Sequence, residues 1–316
     1  MTNLAEVPRF DQLPKLANGL RCSWSVFGDA DNLGSANFLT EDAVLLAAAE
    51  ILHGQRVNLT LNLTLPSPPY FGRRPYSHTV YQHGPDVYDD VIDAFYPQSS
   101  SQWDGLRHRQ DGEYGFYGGL SLDELKSDDS RLGIDAWARR GIVGRGILVD
   151  VERYLYDRNQ NYDPTANFEI GPDLLADVLS AQGSEHLPGD IMLLRTGYMG
   201  AYLRADEAGR AALASDVASA GLSATEEMAE YLWNGQFSAV AADNPGVEAL
   251  PLASTSECYL HARLIPMLGF AMGEFLDFEE LGRLSAADGR FTSMFVSVPL
   301  NMPAALGSPA NAIAIR

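Results

Sequence analysis

Apolar residues recur along this chain in two rhythms, and their alternation outlines the fold. Thr40 precedes an apolar stretch, Ala43 to Leu52, that reads as a helix capped by the threonine hydroxyl and closed by Gly54 in a left-handed conformation. Val57 to Leu65 then alternates Val and Leu with Asn and Thr, the period of two that marks a half-buried strand. Ser121 and Glu124 form a capping box, and a second helix is expected near Ile134 to Arg140. Ile147 to Val151 and Ile191 to Arg195 are short β-branched or apolar runs with turn residues on both sides. Ser223-Ala-Thr-Glu226 opens a helix that ends at Asn234-Gly235, and Phe237 to Ala242 reads as the strand after it. A helix near Tyr259 to Met267, the apolar run Phe270 to Met272 and a last strand, Phe291 to Pro299, complete the pattern. Strands alternating with helices predict an α/β protein.

Between these elements lie irregular passages. The first forty residues are rich in Gly, Pro and Asn, and Phe27 to Gly34 looks like a turn-dense arm. A proline-rich passage, Pro66 to Pro75, leads to His78 and an acidic run, Asp86 to Asp93, expected to be a solvated face. There is no internal repeat, no low-complexity tract and no convincing linker. One main domain is expected, residues 75–316, with residues 1–74 an N-terminal arm of helix and strand packed on it.

Composition then removes several function classes. At 316 residues the chain can bury a sizeable core, and its formal charge of −20 opposes binding to nucleic acid or to an anionic membrane. Two cysteines, Cys22 and Cys258, are too few for a disulfide framework. No signal peptide is visible, and no stretch approaches the roughly 20 apolar residues that span a bilayer. A cytoplasmic location is expected. No Gly-x-Gly-x-x-Gly follows a strand, no Walker loop is present, and no Gly-x-Ser-x-Gly elbow occurs, so no nucleotide cofactor and no serine nucleophile are expected.

The candidate chemistry lies in Gln98-Ser-Ser-Ser-Gln102-Trp-Asp104-Gly-Leu-Arg-His108. Gln98, Gln102, Asp104 and His108 are spaced four, two and four apart. An imidazole near neutral pKa suits His108 to proton transfer. Glu274 sits in an apolar strand, where an ionised carboxylate is costly unless paired or metal-bound. Trp103, Tyr114, Phe116 and Tyr117 offer an aromatic wall for a planar substrate, although aromatics more often form core. His78 is a candidate to face the pocket, His53, His83 and His186 look like surface residues, and Arg195 is expected to brace a strand end.

These segments together resemble the cyclase-like superfamily of metal-dependent hydrolases, which includes bacterial kynurenine formamidase, isatin hydrolase and some aromatic polyketide cyclases. That family's loop reads His-x-Gly-Thr-His-x-Asp-x-x-x-His, and Gln98, Ser100, Ser101, Gln102, Asp104 and His108 occupy its positions here. The resemblance continues through Gly146 to Asp150, Leu187 to Asp190, Arg195 to Gly197 and Ala242 to Gly246, and ends with His261, Glu274 and Leu276 to Leu281. It covers roughly residues 75 to 300. It implies a swivelling β/β/α domain, with a mixed barrel-like sheet surrounded by helices, and a homodimer or homotetramer. In family members the two loop histidines, the loop aspartate, a downstream histidine and a glutamate hold one or two divalent ions. Here Asp104, His261 and Glu274 keep their places, while Gln98 and Gln102 replace the loop histidines.

Two amide oxygens in place of two imidazoles shift such a site from nitrogen-rich to oxygen-rich, toward Mn²⁺, Mg²⁺ or Ca²⁺ rather than Zn²⁺. Gln98 and Gln102 can instead grip a substrate amide or carbonyl, since each offers donor and acceptor. The resemblance implies a hydrolase that opens a C–N or C–O bond in a small cyclic amide, lactam, lactone or formamide, in the class acting on carbon–nitrogen bonds other than peptide bonds. An ion on Asp104, His261, Glu274, Gln102 and Gln98 would activate water, and His108 with Asp104 would move protons. A metal-free or weakly metal-dependent cyclase or dehydratase on an aromatic, polyketide-like substrate is the alternative. A non-catalytic binding protein is the third reading.

Overall fold

The computed structural model describes residues 6–252 and 258–316. Its strands are β1 (Arg56–Asn58), β2 (Ser77–Gly84), β3 (Val87–Asp93), β4 (Gln102–Asp104), β5 (Ile142–Asp150), β6 (Phe168–Ile170) and β7 (Ile191–Arg195). β8 (Ala220–Leu222), β9 (Ala239–Ala242), β10 (Ala271–Glu274), β11 (Thr292–Ser297), β12 (Gly307–Pro309) and β13 (Ala312–Ile315) follow. Nine of them form one mixed sheet in the order β1-β13-β11-β5-β7-β9-β10-β4-β12, curled into a half-barrel with helices around it. β5, β7, β9 and β10 run parallel; β11 and β4, on either side, run antiparallel to them, and the outer strands go on alternating. The α/β reading of the sequence holds.

The parallel centre is buried on both faces, as crossover helices require. Alternate residues of each strand enter different cores. Ile147, Val149, Met192, Leu194, Val240 and Met272 pack under the helices Val151–Asp157, Pro172–Ala181 and Glu226–Asn234. Leu148, Ile191, Leu193, Ala241 and Phe295 join the opposite core with Trp103, Trp137 and Leu281. The N-terminal segment is tied into both: Phe10, Leu13, Cys22 and Phe38 enter the first core, and β1 pairs with β13 at the sheet edge.

Several boundaries follow local chemistry. Thr40 caps its helix by accepting a hydrogen bond from the Ala43 amide, and Ser121 and Glu124 make the reciprocal capping box. The first helix, however, is Glu41–Ala48 and stops short of Leu52. The amides of His53 and Gln55 bond the Arg316 carbonyl instead, drawing the chain toward the sheet edge. The strand expected over Val57 to Leu65 pairs only at Arg56–Asn58, yet Val57, Leu59 and Leu61 are all buried, so its period of two persists where the ladder ends. The acidic run was not expected to be a strand: it is β3, the second arm of an exposed hairpin with β2. The helix near Tyr259 is Leu260–Arg263, continued by one wider π turn, Leu264–Leu268.

Gly34 and Gly269 are a contact that only glycine allows. A Cβ on Gly34 would lie 2.0 Å from the Gly269 carbonyl oxygen, and the backbone there has φ +58°. The contact ties the N-terminal segment to the turn before β10, and the Ser35 amide bonds the Gly269 carbonyl at 2.8 Å. Gly34→Ala should therefore lower unfolding stability by about 3 kcal/mol, measured by urea denaturation. A loss below about 0.5 kcal/mol would show that this contact does not anchor the segment.

Candidate active site

Antiparallel pairing of β4 with β10 sets the site. Gln102 lies opposite Glu274, and Asp104 opposite Met272. Residues two apart on a strand share a face, so Gln102, Asp104 and Glu274 project from one side of the sheet. Trp103 must then project from the other. It is fully buried, donates its indole N–H to Ser297 Oγ at 2.8 Å, and packs edge-on against Phe295. Gly273 leaves room for it, since a Cβ there would come within 3.0 Å of the indole.

His261 reaches the same face from the helix that precedes β10. One ligand atom from each of Asp104, His261 and Glu274 lies within 4.8 Å of the others. His261 Nε2 is 3.1 Å from Glu274 Oε1 and 3.7 Å from Asp104 Oδ2. The opposite ring nitrogen, Nδ1, donates to Glu248 Oε2 at 2.7 Å, and the His261 backbone amide bonds the same oxygen at 3.2 Å. Glu248 thus fixes the ring so that Nε2 faces the two carboxylates, the outer contact that orients metal-binding histidines. Glu248 is itself held by its loop, where the Asn244 side chain bonds the carbonyls of Ala220, Val247 and Glu248.

The two glutamines each hold an acid. Gln102 donates its amide N–H to Glu274 Oε2 in a short hydrogen bond, and its own Oε1 is buried without a hydrogen-bond partner. Gln98 uses both amide hydrogens, one toward Asp104 Oδ1 and one toward His108 Nδ1 at 2.7 Å. His108 comes round in the turn after β4, closed by its amide bond to the Gly105 carbonyl. Its Nδ1 is 3.6 Å from Asp104 Oδ1, and its ring centre is 6.4 Å from that of His261.

Burial dominates the electrostatics. Three carboxylates, Asp104, Glu248 and Glu274, are almost wholly buried around one imidazole. Burial, reinforced by the nearby Asp104 charge, pushes the Glu274 carboxyl up to about 7. For His261 burial works the other way but loses to its partners: the Glu248, Asp104 and Glu274 carboxylates hold its pKa well above the ordinary value. Asp104 stays below the usual carboxylate range, because its contacts with His261 and His108 outweigh burial. Burial lowers the His108 pKa against the pull of the Asp104 charge, with further help from the His261, Arg73 and Arg109 charges; in the neutral ring Nδ1 accepts from Gln98, so Nε2 carries the proton.

This donor set fits a divalent cation. Buried acids in excess of buried bases are costly unless protons or a cation neutralise them. The orphaned Gln102 oxygen is a further acceptor beside the cluster, and carboxylate, imidazole and amide oxygen together suit a hard or borderline ion.

The structure places the remaining candidates elsewhere. Trp103 is core rather than a substrate wall. Tyr117 is buried too, with its hydroxyl on Asp31 and its ring against Gly269. The strand alternation of Gln102-Trp103-Asp104 carries this information already: if the acid faces the site, the indole cannot. His78 stands on the exposed hairpin and bonds Asp90 at 2.8 Å across it. Arg195 does brace a strand end, pairing with Asp150, Glu152 and Glu279. Glu248 was not singled out from sequence; the signal available was an acid set between Val247 and Ala249, in a stretch whose neighbours are all apolar or small.

Comparison with known proteins bears on the family and the fold. The family model for Cyclase, described as "Putative cyclase", matches residues 46–249. The chain belongs to the cyclase family. A crystal structure of a novel cyclase is 30% identical with a TM-score of 0.81, covering 93% of this chain and 99% of its own. Isatin hydrolase A from Labrenzia aggregata, bound to benzyl benzoate, superposes with a TM-score of 0.59 at 18% identity, over 85% of this chain and 95% of that one. A predicted metal-dependent hydrolase from Bacillus stearothermophilus gives 0.50 at 16% identity, over 82% and 97%. The last two share the fold. No curated protein sequence matches. Among the described residues, no helix is long and apolar enough to cross a membrane.

The raised Glu274 pKa has a stability consequence. A carboxyl that titrates near 7 when folded, against 4.5 as its ordinary value, binds more protons in the folded state across that interval. Stability of chelator-treated protein should therefore fall as pH rises from about 5 to about 8, and the fall should be shallower in Glu274→Gln. Urea unfolding at pH 5, 6.5 and 8 measures this. Equal slopes for both proteins would show that Glu274 is not the group concerned.

Proposed function

We propose that this cyclase-family protein is a hydrolase that opens a C–N or C–O bond in a small cyclic amide, lactam, lactone or formamide with the help of a divalent ion. The observation that carries the reading is the convergence of Asp104, His261 Nε2 and Glu274, with the neutral imidazole of His108 beside Asp104. Its likeness in fold to isatin hydrolase and to a metal-dependent hydrolase supports the same class.

Asp104, His261 and Glu274 would hold the ion. Mn²⁺ is the first candidate, with Zn²⁺, Mg²⁺ and Ca²⁺ after it. A bound ion would supply a Lewis acid and a water of lowered pKa. His108, whose Nε2 carries the proton while Nδ1 accepts from Gln98, would deliver a proton to the leaving nitrogen or oxygen and be reprotonated from water. Gln98 holds His108 by Nδ1 and Asp104 by Oδ1, so acid and base keep one spacing. Glu248 keeps His261 Nε2 turned to the site, and Gln102 steadies Glu274.

One observation favours the alternative of a metal-free cyclase or dehydratase. Gln98 and Gln102 already supply N–H donors to Asp104 and Glu274, so the acids are partly satisfied without an ion. Asp104 and His108 would then serve as acid and base.

The proposal extends to a homodimer or homotetramer. The β2–β3 hairpin stands apart from the main sheet with Val80, Tyr81, Val87 and Tyr88 exposed, and a two-stranded ribbon is marginal alone. Sedimentation giving a monomer at micromolar concentration would contradict it.

Metal content of protein purified without chelator or nickel resin, followed by Mn²⁺ add-back during assay on a lactam, lactone and formamide panel, separates the two chemistries. The hydrolase reading expects about one or more ions per chain and activity restored by Mn²⁺. Absence of any bound ion at millimolar supply would overturn it. His108→Ala should lower kcat by roughly 10²- to 10⁴-fold with folding intact. Unchanged kcat would remove His108 from the proton path.

A further inference from the structure

Two arginines beside the site carry no acid. Arg73 follows the turn closed by its own amide on the Tyr70 carbonyl, and the Tyr70 ring packs 5.2 Å from Phe275, the residue after Glu274. Arg109 follows His108 directly, and its guanidinium lies 5.3 Å from the ring centre of Tyr259, which begins the helix bearing His261. Arg73 thus belongs to the turn packed against the residue after Glu274, and Arg109 links His108 in sequence to the start of the His261 helix. Each keeps one guanidinium nitrogen, Nη1 of Arg73 and Nε of Arg109, buried with no hydrogen-bond acceptor.

That combination is out of keeping with the rest of the chain. With 42 acidic residues against 22 basic ones, a cation without a carboxylate is unexpected. Arg290 and Arg316 also have a buried N–H lacking an acceptor, but other atoms of each are anchored on Glu50, Asp288 or main-chain carbonyls. Arg107 is held by the carbonyls of Asp128 and Arg131, and Arg145 by Asp190. Arg73 and Arg109 have no side-chain hydrogen bond and no ion pair among the described residues, only the faces of Phe71 and Tyr259. The site's own acids do not reach them, because Gln98, Gln102 and His261 already hold Asp104 and Glu274. The charge of Arg73 is nonetheless felt at both His108 and Glu274, and that of Arg109 at His108.

We propose that Arg73 and Arg109 form an anion subsite at the edge of the active centre and that the substrate carries a carboxylate next to the bond that is cleaved. The inference rests on the hydrolase reading for the bond, but not for the charge. A planar carboxylate accepts charge-assisted hydrogen bonds from guanidinium donors that otherwise have none. It also balances charge: an anionic substrate would be repelled by Asp104, Glu248 and Glu274 unless cations stood between.

The test uses benzoate and nitrobenzene, a planar pair of the same shape that differ in charge. Neither has a bond the enzyme would cleave, so binding stays readable whether or not the hydrolase reading survives. Isothermal titration is run on the chelator-treated protein, so that benzoate cannot bind through an ion. Wild type should bind benzoate about tenfold more tightly than nitrobenzene, the ratio one charge-assisted pair supplies. Arg73→Gln and Arg109→Gln should each erode that ratio, the double variant should abolish it, and Arg→Lys at both sites should keep part of it. Nitrobenzene binding should change by less than about twofold throughout, which also reports that the site is intact. Equal binding of the two probes by wild type, no binding of either at millimolar concentration, or a preference that survives the double Gln variant would each overturn the proposal. Lactam turnover by a protein that shows no benzoate preference would refute the subsite and leave the hydrolase standing.

Discussion

The register between β4 and β10 is the constraint on which this molecule's chemistry depends. Pairing Gln102 with Glu274 and Asp104 with Met272 places three polar side chains on one face and Trp103 on the other. A slip of one residue would turn the acids into the hydrophobic core and the indole into the site, exchanging a buried ion cluster for a buried charge without partners. Trp103 against Gly273 on the core side therefore guards the register that the acids need. β12 covers the other edge of β4, and Gly307 lets the Gln98 side chain pass close by.

Around that pairing, each acid and each imidazole is positioned by a second group. Glu248 turns His261, Gln102 holds Glu274, and Gln98 joins Asp104 to His108. The arrangement separates the two histidines by role. Buried carboxylates keep His261 charged until something displaces its proton, whereas burial and two nearby guanidiniums keep His108 neutral. One imidazole is suited to be a ligand and the other to carry protons. Where the resemblance implies imidazole nitrogens, Gln98 and Gln102 surround the acids with amide groups.

Much of this was legible in the chain. Alternating strands and helices and the Thr40 and Ser121 caps describe what is found, and the fold brings Gln98, Asp104 and His108 into contact. What escaped did so for physical reasons. β4 has only three residues, so nothing in the chain marks it as a strand, and the alternation that turns Trp103 away from Asp104 can be read only once the strand is known. Glu248 lies 26 residues before Glu274, and only the crossover from β9 to β10 brings it behind His261. The β2–β3 hairpin is exposed on both faces, so its acidic arm is the solvated face expected, but it carries no burial period that would mark it as a strand. Arg73 and Arg109 carry no motif at all; they stand out only by a buried guanidinium nitrogen without an acceptor.

The central claim is that Asp104, His261 and Glu274 form a cation site that holds protons when no cation is present. Calorimetric titration of chelator-treated protein with Mn²⁺ at pH 7, repeated in buffers of different ionisation enthalpy, counts the protons released per ion bound. The account predicts saturable binding that releases about one or two protons, from His261 and Glu274, and that is lost in Glu274→Ala. Binding without proton release, or equal binding by Glu274→Ala, would contradict it.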